Sequence, residues 1–292
     1  MRALIATEWL KIVRRRLNHV TLGIMCGLLV LMYVLLWLAT GFVEDAGLGS
    51  GEMLGDIRSA LFLEETVPFA LMLLYAFGLL SGLVVVGANT GAEYTWNTVR
   101  TMTGVEARRW RFLAAKLLAL ATAVIAGLLV GLVVVLVTSA VITLVDGQMD
   151  LSFVDADYLE HSAASFGRLL IQLVAYLSLS VLCATIGRSP TAGIALAVGV
   201  AFLEGIVSGM MTLAGGWVAE IPQYGLDHNA DSLSMQAGGL FGSMAAGGDS
   251  PFAGVIDQPD PVQAGVTLLI WAAVFLGAAF WWFQRQDLEY QG

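Results

Sequence analysis

Residues 90–116 read TGAEYTWNTVRTMTGVEARRWRFLAAK, the longest polar and basic interruption between two intensely apolar runs. The stretch gathers Arg100, Arg108, Arg109, Arg111 and Lys116 in a chain that has only 14 Lys and Arg. Before it, residues 67–89 are almost wholly apolar, and after it so are residues 113–145. At 1.5 Å per helical residue each run is long enough to cross a hydrocarbon core of about 30 Å. The segment is therefore a loop joining two membrane spans, and that reading decides the class of fold.

Composition agrees. The 292 residues are 58% hydrophobic and 13% charged, with a mean hydropathy of +0.80, far from the usage of soluble domains. Further apolar runs fall at about 20–42, 167–187, 190–214 and 263–283. None alternates as a strand does, and lipid admits only helices and closed barrels. The expectation is an all-α integral membrane protein with six transmembrane helices forming a single transmembrane domain over residues 1–292. The run from Val20 to Phe42 exceeds the roughly 7–15 apolar residues of a signal peptide, so it is read as an uncleaved span. The run 113–145 makes a helix of about 50 Å that must tilt or project. Only Arg188 and Ser189 divide the fourth and fifth runs, and Pro190 suits a first helical position, so these two form a tight antiparallel hairpin.

The leader MRALIATEWLKIVRRRLNH places Ile5, Trp9, Ile12, Val13 and Leu17 at helical spacing, opposite Arg2, Glu8, Lys11, Arg14 and Arg15. It is expected to be an amphipathic helix at the inner interface whose basic residues reach headgroups. Positive charge fixes the orientation. Of the 14 Lys and Arg, all but Arg58 and Arg168 belong to the N-terminus, the 90–116 loop, Arg188 and Arg285. That side, with both termini, is assigned to the cytoplasm of a plasma-membrane protein. Most of the 23 acidic residues lie in the opposite loops 43–66, 146–166 and 215–262, read as solvated outer surface. The outer loop 215–262 contains MQAGGLFGSMAAGG, which forms either a re-entrant or surface-lying helical cap or a flexible connection.

Several chemistries are excluded. The only lysines are Lys11 and Lys116, each followed by an aliphatic residue, so no GxxxxGK[ST] loop cradles a nucleotide phosphate. His19, His161 and His228 are scattered, and no metal-ligand spacing is present. The group Asp155, Asp157, Glu160 and His161 reads as solvated loop charge. Cys26 and Cys183 lie in apolar runs and act as small hydrophobes. No nucleophile elbow or zinc-protease motif occurs, so the chain is not expected to be an enzyme. Glu204, in AVGVAFLEGIVSG, is the one clear carboxylate within a span, and it either lines a substrate path or is a structural carboxyl bonded to a neighbouring helix. The GxxxG pairs Gly23/Gly27, Gly78/Gly82, Gly127/Gly131 and Gly205/Gly209 allow close helix packing.

Around the opening segment the chain resembles the permease subunits of ABC-2 type transporters. Their pattern here is G-x-E-x-x-x-x-T, a short helix and a basic approach to the next span, and Gly91, Glu93, Thr98, Arg109, Arg111 and Lys116 occupy those positions. Trp96 and Asn97 stand where that family often has a basic residue and a glycine. The basic leader, six spans and a tail FQRQDLEY with Phe283, Arg285 and Asp287 are also similar to it. The resemblance implies an exporter half that pairs with a second permease copy or paralogue and with two separate ATP-binding subunits. ATP and Mg would sit on those partners and no cofactor on this chain, and nucleic acid has no part. Gly91, Glu93, Tyr94, Thr98 and Arg100 would couple to the ATPase through a coupling helix between spans two and three. Arg14, Arg15, Arg16, Arg108, Arg109, Arg111 and Lys116 would anchor the chain at the inner interface. A plain positive-inside loop is the competing reading of the segment. An ATP-independent secondary transporter or channel using Glu204, or a membrane-anchored assembly or signalling component, are the competing readings of the whole.

Overall fold

A computed structural model describes residues 2–45, 52–96, 109–147, 152–235 and 259–285. Among these residues the regular structure is helical, and six helices are long and apolar enough to cross a membrane. In order the helices are α1 (Arg2–Arg14), α2 (Arg16–Asp45), α3 (Glu52–Ser59), α4 (Thr66–Thr95), α5 (Arg109–Val145), α6 (Ala156–Gly187) and α7 (Pro190–Ala214). A 3₁₀ turn over Gly216–Tyr224, then α8 (Leu226–Met235) and α9 (Pro261–Arg285), complete the described residues. Helices α2, α4, α5, α6, α7 and α9 are the six that are long and apolar enough.

The bundle is built around α4 and α6, the two helices with the largest buried share. On one side of α4 lie α2, α5 and the short α1, and on the other lie α6 and α7, with α9 and α8 against α6. Small residues set the closest approaches. Gly78 of α4 receives Leu128 of α5, and Gly131 of α5 receives Leu74 of α4 and Met25 of α2. Gly82 receives Leu177 of α6. Of the pairs singled out by spacing, Gly78/Gly82 and Gly131 sit in such seams, while a Cβ on Gly23, Gly27 or Gly209 would meet nothing. Spacing alone counts glycines that face lipid and glycines that face protein alike.

The hairpin of α6 and α7 has the expected two-residue turn. Arg188 takes a left-handed conformation, φ 49 and ψ 31, which ends α6. Ser189 then caps α7, accepting a 3.0 Å hydrogen bond from the Ala192 amide, and Pro190 opens the helix. At the other end α6 begins well before its apolar run. Asp155 is its N-cap, accepting from the Tyr158 amide at 2.7 Å, and Asp157 lies in its first turn. The acidic group read as loop charge is thus a helix start, where carboxylates favour the positive end of the peptide dipoles. Helix α5, at 37 residues, is about 56 Å long.

One expectation changes at the end of the second span. Helix α4 does not stop with its apolar run at residue 89 but continues unbroken through Gly91, Glu93 and Tyr94 to Thr95. The outer loop contributes the 3₁₀ turn and α8, which packs on α9, α6 and α7 with Leu226, Ala230 and Leu233 buried. Residues 97–108, with Thr98, Arg100, Arg108 and the short coupling helix, lie outside the described residues, as do residues 236–258 and the tail with Asp287.

Candidate functional site

Helix α1 lies against α5 and turns a stripe of Glu8 and Ile12 into the bundle, leaving Trp9 and Val13 exposed. The helix is therefore rolled from the expected orientation, and part of its polar face is the buried one. The cause stands opposite, where Glu93 near the end of α4 and Lys116 in the second turn of α5 are also buried. Glu8, Glu93 and Lys116 are 3%, 7% and 4% exposed. Charges so far from water persist only with partners.

They partner one another. The Lys116 ammonium lies 3.1 Å from Glu8 Oε2 and 2.9 Å from Glu93 Oε1, and donates to the Asn89 carbonyl at 3.3 Å. Lys11 lies 2.5 Å from Glu8 Oε1 and 3.5 Å from the same Glu93 oxygen. Among the described residues, two glutamate carboxyls and two lysine amines meet in one layer joining α1, α4 and α5. Beside it Arg15, in the break between α1 and α2, donates to Ala88 O and Asn89 Oδ1, both at 3.1 Å, and lies over the Trp96 ring at 5.2 Å. Asn89 donates to Asn18 Oδ1 at 2.9 Å, so the elbow between α1 and α2 is fastened to α4 as well.

Burial opposes ionisation of Glu8, but the charges of Lys116 and Lys11 and their hydrogen bonds outweigh it and hold its carboxyl below the ordinary range. Burial likewise opposes the charge on Lys11, and the hydrogen bond and charge of Glu8, with Glu93, outweigh it and raise the ammonium above its ordinary value. Glu8 is thus an anion and Lys11 a cation at neutral pH. The layer fixes three helix ends to one another at the end of the bundle from which the 97–108 segment leaves.

Some residues expected to anchor the chain at headgroups do otherwise. Lys116 points into the subunit, Lys11 spans the layer, and Arg15 is spent on α4. Arg14 and Arg16 are exposed at the elbow, and Arg111 lies over Trp110 at 5.7 Å. Gly91 serves packing: a Cβ there would overlap the backbone of Ser189 and Pro190, and Gly87 meets Gly193 in the same crossing of α4 and α7. The role of Glu8 escaped sequence reading. Its signal was present, since an acid amid the arginines and lysine of a basic leader needs a local reason.

Glu204 also has a place. One carboxylate oxygen accepts from the Leu226 amide, and the Asp227 amide also bonds to the group, so Glu204 caps the N-terminus of α8 from across the bundle. Tyr176 OH is 3.5 Å away. A bond of this kind fits the reading of Glu204 as a carboxyl held by a neighbouring helix. No group of His, Cys, Asp and Glu able to hold a metal occurs among the described residues. No protein-family model matches the chain, and no curated protein or solved structure matches it.

Proposed function

We propose that this chain is the membrane permease of an ABC-2 type exporter, driven by a separate ATP-binding subunit and working as a pair of permeases with its basic end in the cytoplasm. The observation that carries the reading is the ion layer of Glu8, Lys11, Glu93 and Lys116. It stiffens both ends of the 97–108 connection, because α4 enters that connection and α5 leaves it. A loop that only set topology would need no buried charges behind it. A loop that takes a push from a partner needs a rigid foundation to pass the displacement into two spans. The absence of any phosphate-cradling lysine motif in the sequence leaves the energy source to another chain.

Within this reading Glu93 is a strut, buried inside the permease, and the surface met by the ATPase falls to residues 97–108, with Thr98 and Arg100. The test is co-expression with the ATP-binding protein encoded beside it. A complex with two copies of each chain is expected after purification, with ATP hydrolysis stimulated by the permease. Arg100→Ala is expected to lower that stimulation about tenfold. No stable complex, or undiminished stimulation in Arg100→Ala, would sink the reading.

A further inference from the structure

Outward of the ion layer, α1, α2, α4 and α5 form a cavity of about 190 Å³ that is open on one side. Its wall includes Met25, Gly82 and Gly127, its basal side Trp9 and Val13 of α1, and its rim Asn18 and His19 at the start of α2. It exceeds the roughly 150 Å³ of an engineered apolar cavity that takes up benzene. The space exists because of small residues: at Gly127 a Cβ would meet only Leu22, at 3.7 Å, and Ala123 and Ala126 line the same wall. Apolar depth and polar rim lie in different places. The apolar wall runs along α4 and α5, whereas the rim is the elbow, where Asn18 donates to Ile12 O at 2.8 Å and His19 bonds Val13 O at 2.6 Å. Arg14 and Arg16 are exposed at that elbow, and the first turn of α2 adds the positive end of its helix dipole.

From this juxtaposition of an apolar cavity with a cationic elbow, we infer that the cavity binds one acyl chain of an anionic phospholipid, whose phosphate is held by Arg14 and Arg16. A zwitterionic lipid places an ammonium beside the same arginines and gains less, and a soluble anion leaves the apolar wall unfilled. The seated lipid would touch α1, α2, α4 and α5 together, so it reports on the packing of α1 without entering the ion layer. The inference concerns the lipid at this elbow and stands whether or not an ATPase drives the chain.

The experiment uses the full chain in vesicles of phosphatidylcholine containing either phosphatidylglycerol or phosphatidylcholine brominated on one acyl chain. The reading is the tryptophan quenching that disappears in Trp9→Phe. Saturable Trp9 quenching is expected, with half-effect at a mole fraction of brominated phosphatidylglycerol at least threefold below that of brominated phosphatidylcholine. Arg14→Gln with Arg16→Gln should abolish the preference, and Ala126→Phe should reduce the Trp9 quenching by both lipids. Equal quenching by the two lipids in the unmodified chain, or a preference that survives loss of both arginines, overturns the proposal. Quenching unchanged by Ala126→Phe also overturns it, because the lipid is then bound away from this cavity.

Discussion

At the scale of residues, the molecule is governed by a few polar groups that the spans cannot leave unmatched. Removing Lys116 takes from Glu8 and Glu93 the more buried of the two lysines they share, and breaking a buried pair in this way costs about 3–5 kcal/mol. Lys116→Met is therefore expected to lower the thermal midpoint of the detergent-solubilised protein sharply. The triple change Glu8→Gln, Glu93→Gln, Lys116→Met should recover much of the loss, which a scan of the variants side by side will reveal. Acid should act through Glu8. Its carboxyl is held below the ordinary value, so its contribution is complete above about pH 4.3 and is lost as pH falls through the lowered value. Lys11 is raised, so its contribution is complete below about pH 10.4 and is lost as pH rises through the raised value. Limited proteolysis of α1 should quicken below about pH 4, and Glu8→Gln should shrink that acid limb. At Glu204, a glutamine keeps an acceptor for the Leu226 amide while an alanine does not. Glu204→Ala should thus cost about 0.5–2 kcal/mol and Glu204→Gln little. If Glu204→Gln instead abolishes transport at unchanged stability, the carboxylate serves the cargo and not only the cap.

At the scale of elements, the spans were legible and their ends were not. Apolar length alone finds the six helices, because a bilayer demands about 20 such residues wherever a helix crosses it. The same criterion stops at the first run of polar residues, and so it shortens α6, whose start carries Asp157, Glu160 and His161, and α4, whose end carries Asn89 and Glu93. The roll of α1 was illegible for a related reason. Helical spacing gives two faces, and only the presence of Glu93 and Lys116 on other elements decides that Glu8 and Ile12 face inward. The hairpin of α6 and α7 could be read because Arg188, Ser189 and Pro190 are local signals. Its crossing with α4 could not, since Gly87 and Gly91 meet residues about a hundred positions away. Gly91→Ala inserts a methyl group against backbone that cannot rotate aside, so a loss toward the upper end of about 1–3 kcal/mol is expected, read as a lowered thermal midpoint. Gly23→Ala, in open space, is the matched control and should leave the midpoint within about 1 °C.

At the scale of the whole molecule, the bundle divides into a fastened and an unfastened side. Helix α7 has only 6% of its most apolar window buried, and Phe202, Ile206, Met210 and Leu213 are exposed along it. A pair of permeases would find apolar surface there, and cross-linking of single cysteines placed at Phe202 or Ile206 in membranes should give dimers if α7 is the seam. The fastened side ends at the last turns of α4. Asn89 and Glu93 lie one turn apart on one flank of that helix, tied to α1 and α5, while Gly87 and Gly91 lie on the opposite flank, seated on the first residues of α7. A rotation of α4 about its own axis would tear the ionic side and drive the glycine side into backbone at once. A tilt of that end, by contrast, carries its neighbours along. The tip of α4 thus behaves as a keyed shaft, free to swing but not to spin, and any force applied there arrives at α5 and α7 together.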